Sequence, residues 1–485
     1  MRAGEVMITR RGLVTTAASA GATAAFVELR AAKAQGAADA WLYSTPQGAG
    51  SLRRDRSGQW IETTPTGQQF FFAETNVGAP YVELRDASRQ MWLRLYSGYG
   101  EWRQEPGSEW HRWMNGRWGM SSEVPALSDY RIRLGYFIPS DRAPIANYEE
   151  KIGVILYFVT ELYRQSFRAR GFEMKDWPFQ MRGGQPDIPV IRAAKPAAYY
   201  NGAPNYEPNS HAHWQRVVAD IPSRFGVPQR NLIFLFTESF GEGPAAMEWP
   251  GTVAQGARYS KAGGVGIFSA WILRDEFCAL SVPQQRRLIF DTTPIQGRTA
   301  MGYGKPNSPR HHFIEDGFGA IAHELGHAFG LPHDKRRDAR DIMANGFRNI
   351  RWNFADPPQP DKGGTFSEDN LRILLSSRYL ASDLDPDDDI PPVLNLRITG
   401  VRFDKKPASV TVQVDAADDR GLRAILFYAP HQDSVVGGRA LTGKSQVFTQ
   451  ELAIGPPGSA LLQIDATVTD VGGNYTTKRV SWAPR

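Results

Sequence analysis

Three of the nine histidines in this 485-residue chain fall within one short run, His323-Glu324-Leu325-Gly326-His327-Ala328-Phe329-Gly330-Leu331-Pro332-His333. On a helix, His323 and His327 lie one turn apart on one face, so their imidazoles can converge on a single ion. Glu324 sits beside the first of them and can reach a water at that ion without binding the metal itself. Gly330 can take the left-handed conformation that ends a helix and turns the chain, which would bring His333 back to the same point. Three neutral imidazoles leave a fourth position open, the arrangement of a catalytic zinc rather than a structural one. The chemistry expected is hydrolysis, with Glu324 as general base toward an acidified water and then as proton donor to the leaving group.

From His323 to His333 the run matches HExxHxxGxxH without exception and resembles the metzincin superfamily of zinc endopeptidases. The resemblance implies a catalytic Zn2+ on His323, His327 and His333, a Glu324 base, and a protein or peptide substrate. It also implies a methionine turn under the metal, for which Asp341-Ile342-Met343-Ala344-Asn345 supplies Met343 as an apolar floor. Asp334, directly after the third histidine, stands where adamalysin-like members carry an aspartate, implying a hydrogen bond behind a ligand. The strand Gly264–Ser269 precedes the zinc helix as the cleft-edge strand of metzincins does, so Gly266 and Ile267 are the expected partners of an extended peptide. The stretch Gly346–Ile350, with Phe347, is expected to wall the pocket on the leaving-amine side. Astacin-like and serralysin-like members place a Tyr two residues after the turn methionine. Here that position is Asn345, so the oxyanion would fall to zinc and backbone groups.

Other candidates carry less. Cys278 is the single cysteine, which excludes intrachain disulfides and cysteine-rich zinc modules, and its apolar surroundings read as a buried small residue. His311 and His312 could line the cleft or sit in an exposed loop. His111, His211, His213 and His431 have no partner at ligand spacing. Because the motif could sit on a scaffold that only binds, the competing reading is an adhesion protein recognising glycans or cell surfaces with little hydrolysis. Retention of all three ligands and Glu324 argues for the enzyme.

A site of this kind needs elements to hold it, and the chain is long enough for several domains. The expected organisation is an α/β metzincin-like zinc peptidase core flanked by an N-terminal antiparallel β domain and a C-terminal immunoglobulin-like β-sandwich. Residues 1–35 read as an export signal of twin-arginine type, with Arg10-Arg11 before a weakly apolar run and Ala32-Lys33-Ala34 after it. The expected location is therefore periplasmic or extracellular in a bacterium. Residues 40–122 form a Trp-rich region of short alternating runs, whose Trp110 to Trp118 segment could be core or a sugar-stacking surface. Residues 128–382 mix strand and helix signals, with long helices expected over Ile145–Gly171 and Ile314–Gly330 and strands over Asn231–Phe236 and Gly264–Trp271. Residues 383–392 are an acidic, Pro-containing linker, read as a solvated hinge that could also hold a structural Ca2+. Residues 393–485 show about seven alternating runs and no helix signal, as a β-sandwich does. Both β regions are expected to be accessory to the chemistry. Lys plus Arg at 56 against Asp plus Glu at 51 leaves a net charge of +5, without basic clusters, so a nucleic-acid partner is excluded. No run approaches the ~20 apolar residues of a membrane span.

Overall fold

The computed structural model describes residues 40–482 apart from 46–47, 55–58, 66–67, 79–80, 105–106, 120–129, 206–210, 223–224, 227, 229–230, 242–248, 404–406 and 456–461. The export-signal reading of residues 1–35 lies outside the described residues. The chain divides into two units, the first built from residues up to 124 except 63–69, and the second from 63–69 together with 125 to 485.

In the first unit, eight antiparallel strands close on themselves: β1 (Ala40–Thr45), β2 (Gly48–Arg54), β3 (Trp60–Thr63), β4 (Gln69–Gly78), β5 (Tyr81–Asp86), β6 (Met91–Leu95), β7 (Tyr99–Arg103) and β8 (His111–Gly119). Closure comes from β1 pairing with β8, Ala40 opposite Gly119 and Tyr43 opposite Gly116. The antiparallel expectation is thereby refined to a barrel, which leaves no exposed sheet edge. Its interior holds Trp41, Leu52, Trp60, Phe72, Leu84 and Leu93. Trp113 of β8 stacks on Trp41 with ring centroids 6.1 Å apart, so much of the tryptophan content is barrel core.

The second unit opens with β9 (Ile132–Ile138) and α1 (Tyr148–Arg168), followed by β10 (Val190–Arg192) and α2 (His211–Ala219). After β11 (Leu232–Thr237), β12 (Ala254–Ser260) and β13 (Gly263–Ser269) come α3 (Arg310–Phe329) and α4 (Glu368–Leu374). The five strands form one sheet in the order β10-β9-β11-β13-β12, parallel except for the antiparallel edge strand β12. Every residue of β11 and β13 is buried, as expected where helices cover both faces of a parallel sheet. Leu232, Phe234 and Phe236 of β11 join the core with α1 and α3, while Ile233 and Leu235 pack with Trp214 and Val217 of α2 on the other face.

Seven further strands follow: β14 (Val393–Arg402), β15 (Ala408–Ala417), β16 (Leu422–Ala429), β17 (Ser434–Ala440), β18 (Ser445–Ile454), β19 (Leu462–Asp470) and β20 (Tyr475–Trp482). They make a three-stranded sheet, β14-β15-β18, and a four-stranded sheet, β17-β16-β19-β20, which enclose a core containing Val410, Val412, Phe427 and Ile464.

This sandwich is not a separately tethered module. Leu426 and Val435 belong to the core formed with α1, α3 and the parallel sheet. Arg258 of β12 lies 3.6 Å from the ring centre of Tyr475, and Ser376 bonds Thr469 at 2.8 Å. The linker differs from a solvated hinge for the same reason. Its Asp388 is buried, Arg378 donates to the carbonyls of Asp385, Pro386 and Asp388, and Arg420 pairs with Asp385 at 2.7 Å.

Truncating a buried leucine typically costs about 2–5 kcal/mol. Leu426→Ala, although on the sandwich, is therefore expected to lower hydrogen-exchange protection in α3 and α4 as well as in β16. Loss of protection confined to the sandwich would contradict the shared core.

Candidate active site

Helix α3 carries the histidine motif across the buried face of the sheet and stops at Gly330, whose φ of +99° is left-handed. A β-carbon there would also lie 2.3 Å from the guanidinium carbon of Arg258, so glycine is required on two counts. The Leu331 N–H then donates to the Gly326 carbonyl at 2.9 Å, closing the helix and sending the chain back toward His333.

The result is a cluster of three imidazoles. His327 Nε2 lies 3.1 Å from His323 Nε2 and 3.2 Å from His333 Nε2. Tetrahedral ligands at Zn–N distances of about 2.0–2.1 Å are separated by about 3.3 Å, so the spacing suits zinc. The outer nitrogens decide the protonation. His323 Nδ1–H donates to the Ile342 carbonyl at 2.6 Å, and His327 Nδ1–H to the Leu331 carbonyl at 2.8 Å. His333 Nδ1–H donates to the Asp433 carboxylate at 2.8 and 2.9 Å. With each Nδ1 carrying the proton, all three Nε2 atoms present lone pairs to one another. Burial and the neighbouring rings hold His323 well below the ordinary imidazole range and His327 down at about 4, so both are neutral at pH 7. The donor set fits a zinc ion.

Glu324 is buried beside the ligands, and burial pushes its carboxyl up to about 8 against a lowering hydrogen bond from the Gly256 backbone. Met343 is fully buried under the helix. A β-carbon at Gly326 would lie 2.5 Å from its Sδ, so the small residue between the two helical ligands makes room for the methionine. Glu324, His323, His327 and His333 line a cleft of about 640 Å³, within the usual range for binding pockets.

Several expected placements change. Asp334 is buried, but its carboxylate pairs with Arg336, which also holds Asp369, while its backbone N–H donates to the Met343 carbonyl. It ties the loop carrying His333 to the segment around Met343, and the carboxylate bonded to His333 is that of Asp433. Gly266 and Ile267 cannot take a peptide strand. Gly266 stands between Phe234 and Gly256, and Ile267 between Leu235 and Gln255, so β13 is paired on both sides. The cleft edge is β12, whose Ala254, Gln255, Gly256 and Ala257 line the cavity. Phe347 does line it, packed edge-on to the His323 ring at 5.3 Å. Asn345 is occupied by Asp338 and Arg348.

His311 and His312 sit at the start of α3, where His311 bonds the Asp291 carbonyl and His312 stacks on Tyr303. His211, which has no ligand spacing, nevertheless lines the cleft, stacked on Trp214 at 5.2 Å and bonded to Gln255 at 3.1 Å. Cys278 is buried, its thiol pushed up by burial.

Sequence reasoning misses Asp433 altogether. It stands between β16 and β17 at a φ of +50°. Burial alone would raise its carboxyl, but hydrogen bonds from His333, Tyr428 and Lys335 outweigh that and hold it well below the usual carboxylate range. The Val435 N–H donates to the His333 carbonyl at 2.9 Å and the Lys335 N–H to Ser434 Oγ at 2.8 Å, so the hairpin grips both sides of His333. The sandwich thus supports the site, contrary to the accessory role expected for it.

No protein-family model and no curated protein matches the sequence. Among solved structures, the fold is similar to catalytically inactive OgpA from Akkermansia muciniphila in complex with an O-glycopeptide, glycodrosocin. The TM-score is 0.50 at 14% identity, over 73% of this chain and 93% of that one. Wild-type OgpA in another crystal form gives a TM-score of 0.50 at 14% identity, over 73% and 92% of the two chains. At this identity the likeness is one of fold. Among the described residues, no helix is long and apolar enough to cross a membrane.

Removing a hydrogen-bond partner behind a metal-ligating histidine typically costs 10- to 100-fold in affinity. Asp433→Ala is expected to weaken zinc by about that factor in competition with a chromophoric chelator. Asp433→Asn should fall between, because its amide oxygen still accepts from Nδ1–H. Unchanged affinity in both variants would show that the sandwich does not orient His333.

Proposed function

We propose that this chain is a zinc-dependent endopeptidase of metzincin type. The carrying observation is the convergence of three Nε2 lone pairs, at 3.1 and 3.2 Å, beside a buried glutamate in an open cleft. A bound zinc would supply a Lewis acid that acidifies water and polarises the scissile carbonyl. Glu324 takes the proton of the attacking water and delivers it to the leaving amine, and its raised carboxyl pKa matches a group that must both accept and donate near neutral pH. The β12 edge offers backbone groups for an extended peptide, while Phe347 keeps the first ligand in place from the opposite wall.

The fold likeness to a protein crystallised with an O-glycopeptide supports a narrower substrate class, peptides bearing O-linked sugars. The His211 ring on Trp214, next to Gln255, supplies the flat face and amide that a sugar beside the cleft edge would meet. We place the enzyme outside the cytoplasm on its Arg10-Arg11 leader. Changing both to Lys should retain the precursor inside, and undiminished export would exclude the twin-arginine route.

Glu324→Gln keeps the shape and all three imidazoles, so about one zinc per chain should remain. Cleavage of a mixed library of bare and O-glycosylated peptides should fall by about 10⁴, the upper end for loss of a general base that also serves as acid. Equal rates in the zinc-loaded variant and wild type, or no cleavage of any library member by the wild type, would leave only the binding-scaffold reading.

A further inference from the structure

A second cluster of metal-ligating side chains lies where the linker meets the sandwich. Asp388 comes from the linker, and Asp418 and Asp419 from the turn between β15 and β16. One carboxylate oxygen from each lies within 4.8 Å of the others. Their proximity would mean little if the carboxylates were solvated or paired, but Asp388 is only 1% exposed. Its Oδ2 is buried without a hydrogen-bond donor, and so is Oδ2 of Asp418. The remaining oxygen of Asp418 is taken by the Arg420 and Gly421 N–H groups at 2.9 and 2.6 Å. That of Asp388 makes only long contacts, 3.4 Å each, with the Ile390 N–H and Asn474.

Arg420 spends its hydrogen bond on Asp385 at 2.7 Å, so it reaches Asp388, as Lys444 reaches Asp418, only by attraction across a longer distance. A fourth carboxylate, Asp470, is fully buried beside them, with its oxygens occupied by Gly472 and Asn474. Burial first, and mutual repulsion second, push Asp388 up to about 6 and Asp470 up to about 8. A buried anionic oxygen with no donor is a costly arrangement, and two of them on neighbouring carboxylates from different segments call for either protons or a cation.

We propose that Asp388, Asp418 and Asp419 bind a calcium ion that fastens the linker to the β-sandwich. An all-oxygen set with no histidine or cysteine selects a hard cation rather than zinc. Two oxygens bound to one calcium can stand up to about 4.6–5.2 Å apart, and calcium tolerates the irregular geometry that chain segments from two elements provide, completing its shell with water. The tight packing of this corner agrees with a fixed structural site: a β-carbon at Gly472 would lie 2.3 Å from the Asp388 carbonyl oxygen.

The test uses the full mature chain, zinc-loaded and desalted, titrated calorimetrically with CaCl₂ and with MgCl₂, with thermal unfolding followed in parallel. One calcium per chain is expected, bound more tightly than magnesium, with a rise of a few degrees in the unfolding temperature at saturation. Asp418→Asn should weaken calcium at least tenfold and leave zinc content unchanged. Without calcium it should melt no lower than wild type, since a repelling charge is removed, and with calcium it should melt below it. That reversal distinguishes a ligand from a residue that merely supports the fold. No calcium binding by the wild type up to 10-fold above ordinary extracellular millimolar levels, or undiminished binding in both Asp388→Asn and Asp418→Asn, would overturn the proposal.

Discussion

The geometry of the site depends on where three protons sit. An imidazole can offer a lone pair inward only if its other nitrogen holds the proton, and the acceptor on the outside decides that. Here the acceptors are the Ile342 carbonyl in the methionine turn, the Leu331 carbonyl just past the helix, and the Asp433 carboxylate on the sandwich. Each comes from a different part of the chain. The histidine cluster is therefore a junction at which a helix, the turn beneath it and a second β layer must all be in register.

Close approach makes that register possible. Helix α3 passes so near the sheet that a β-carbon at Gly256 would lie 2.0 Å from the Glu324 carbonyl oxygen, and one at Gly319 equally near that of Phe347. Small residues on both surfaces let backbones rather than side chains meet, which fixes the helix against sliding or rolling. Glu324 is buried by the same packing. A carboxyl removed from water holds its proton more readily, so the packing that fixes the helix also raises the pKa of Glu324.

The sandwich is bound into this arrangement by contacts that increase in specificity toward the site. Leu426 and Val435 share the core around α3, Arg258 reaches from the cleft-edge strand to Tyr475, and Asp433 ends at His333. The linker takes part because Arg378 and Arg420 occupy its carbonyls and one of its carboxylates, leaving it little freedom to swing. A segment rich in aspartate looks solvated by composition, yet burial of Asp388 shows that composition does not decide where a charged side chain ends up.

The amino-acid sequence alone determined what is local. The four-residue spacing of His323 and His327 implies a shared helical face, Gly330 implies the turn, and the runs at Asn231–Phe236 and Gly264–Trp271 imply strands, because these follow from backbone periodicity within a few residues. What joins distant segments was decided only by the tertiary structure. Alternation along a strand says which residues face a core but not which strand lies beside it, so the edge role passed from Gly266 and Ile267 to Gly256 and its neighbours, and eight antiparallel runs closed into a barrel. The carboxylate behind the third histidine shows the same division. Asp334 is adjacent in sequence but turned toward Arg336, while Asp433 is 100 residues away from His333 and hydrogen-bonded to it. Spacing along the chain constrains only the first turn or two of backbone, and beyond that the partner is chosen by which surfaces pack.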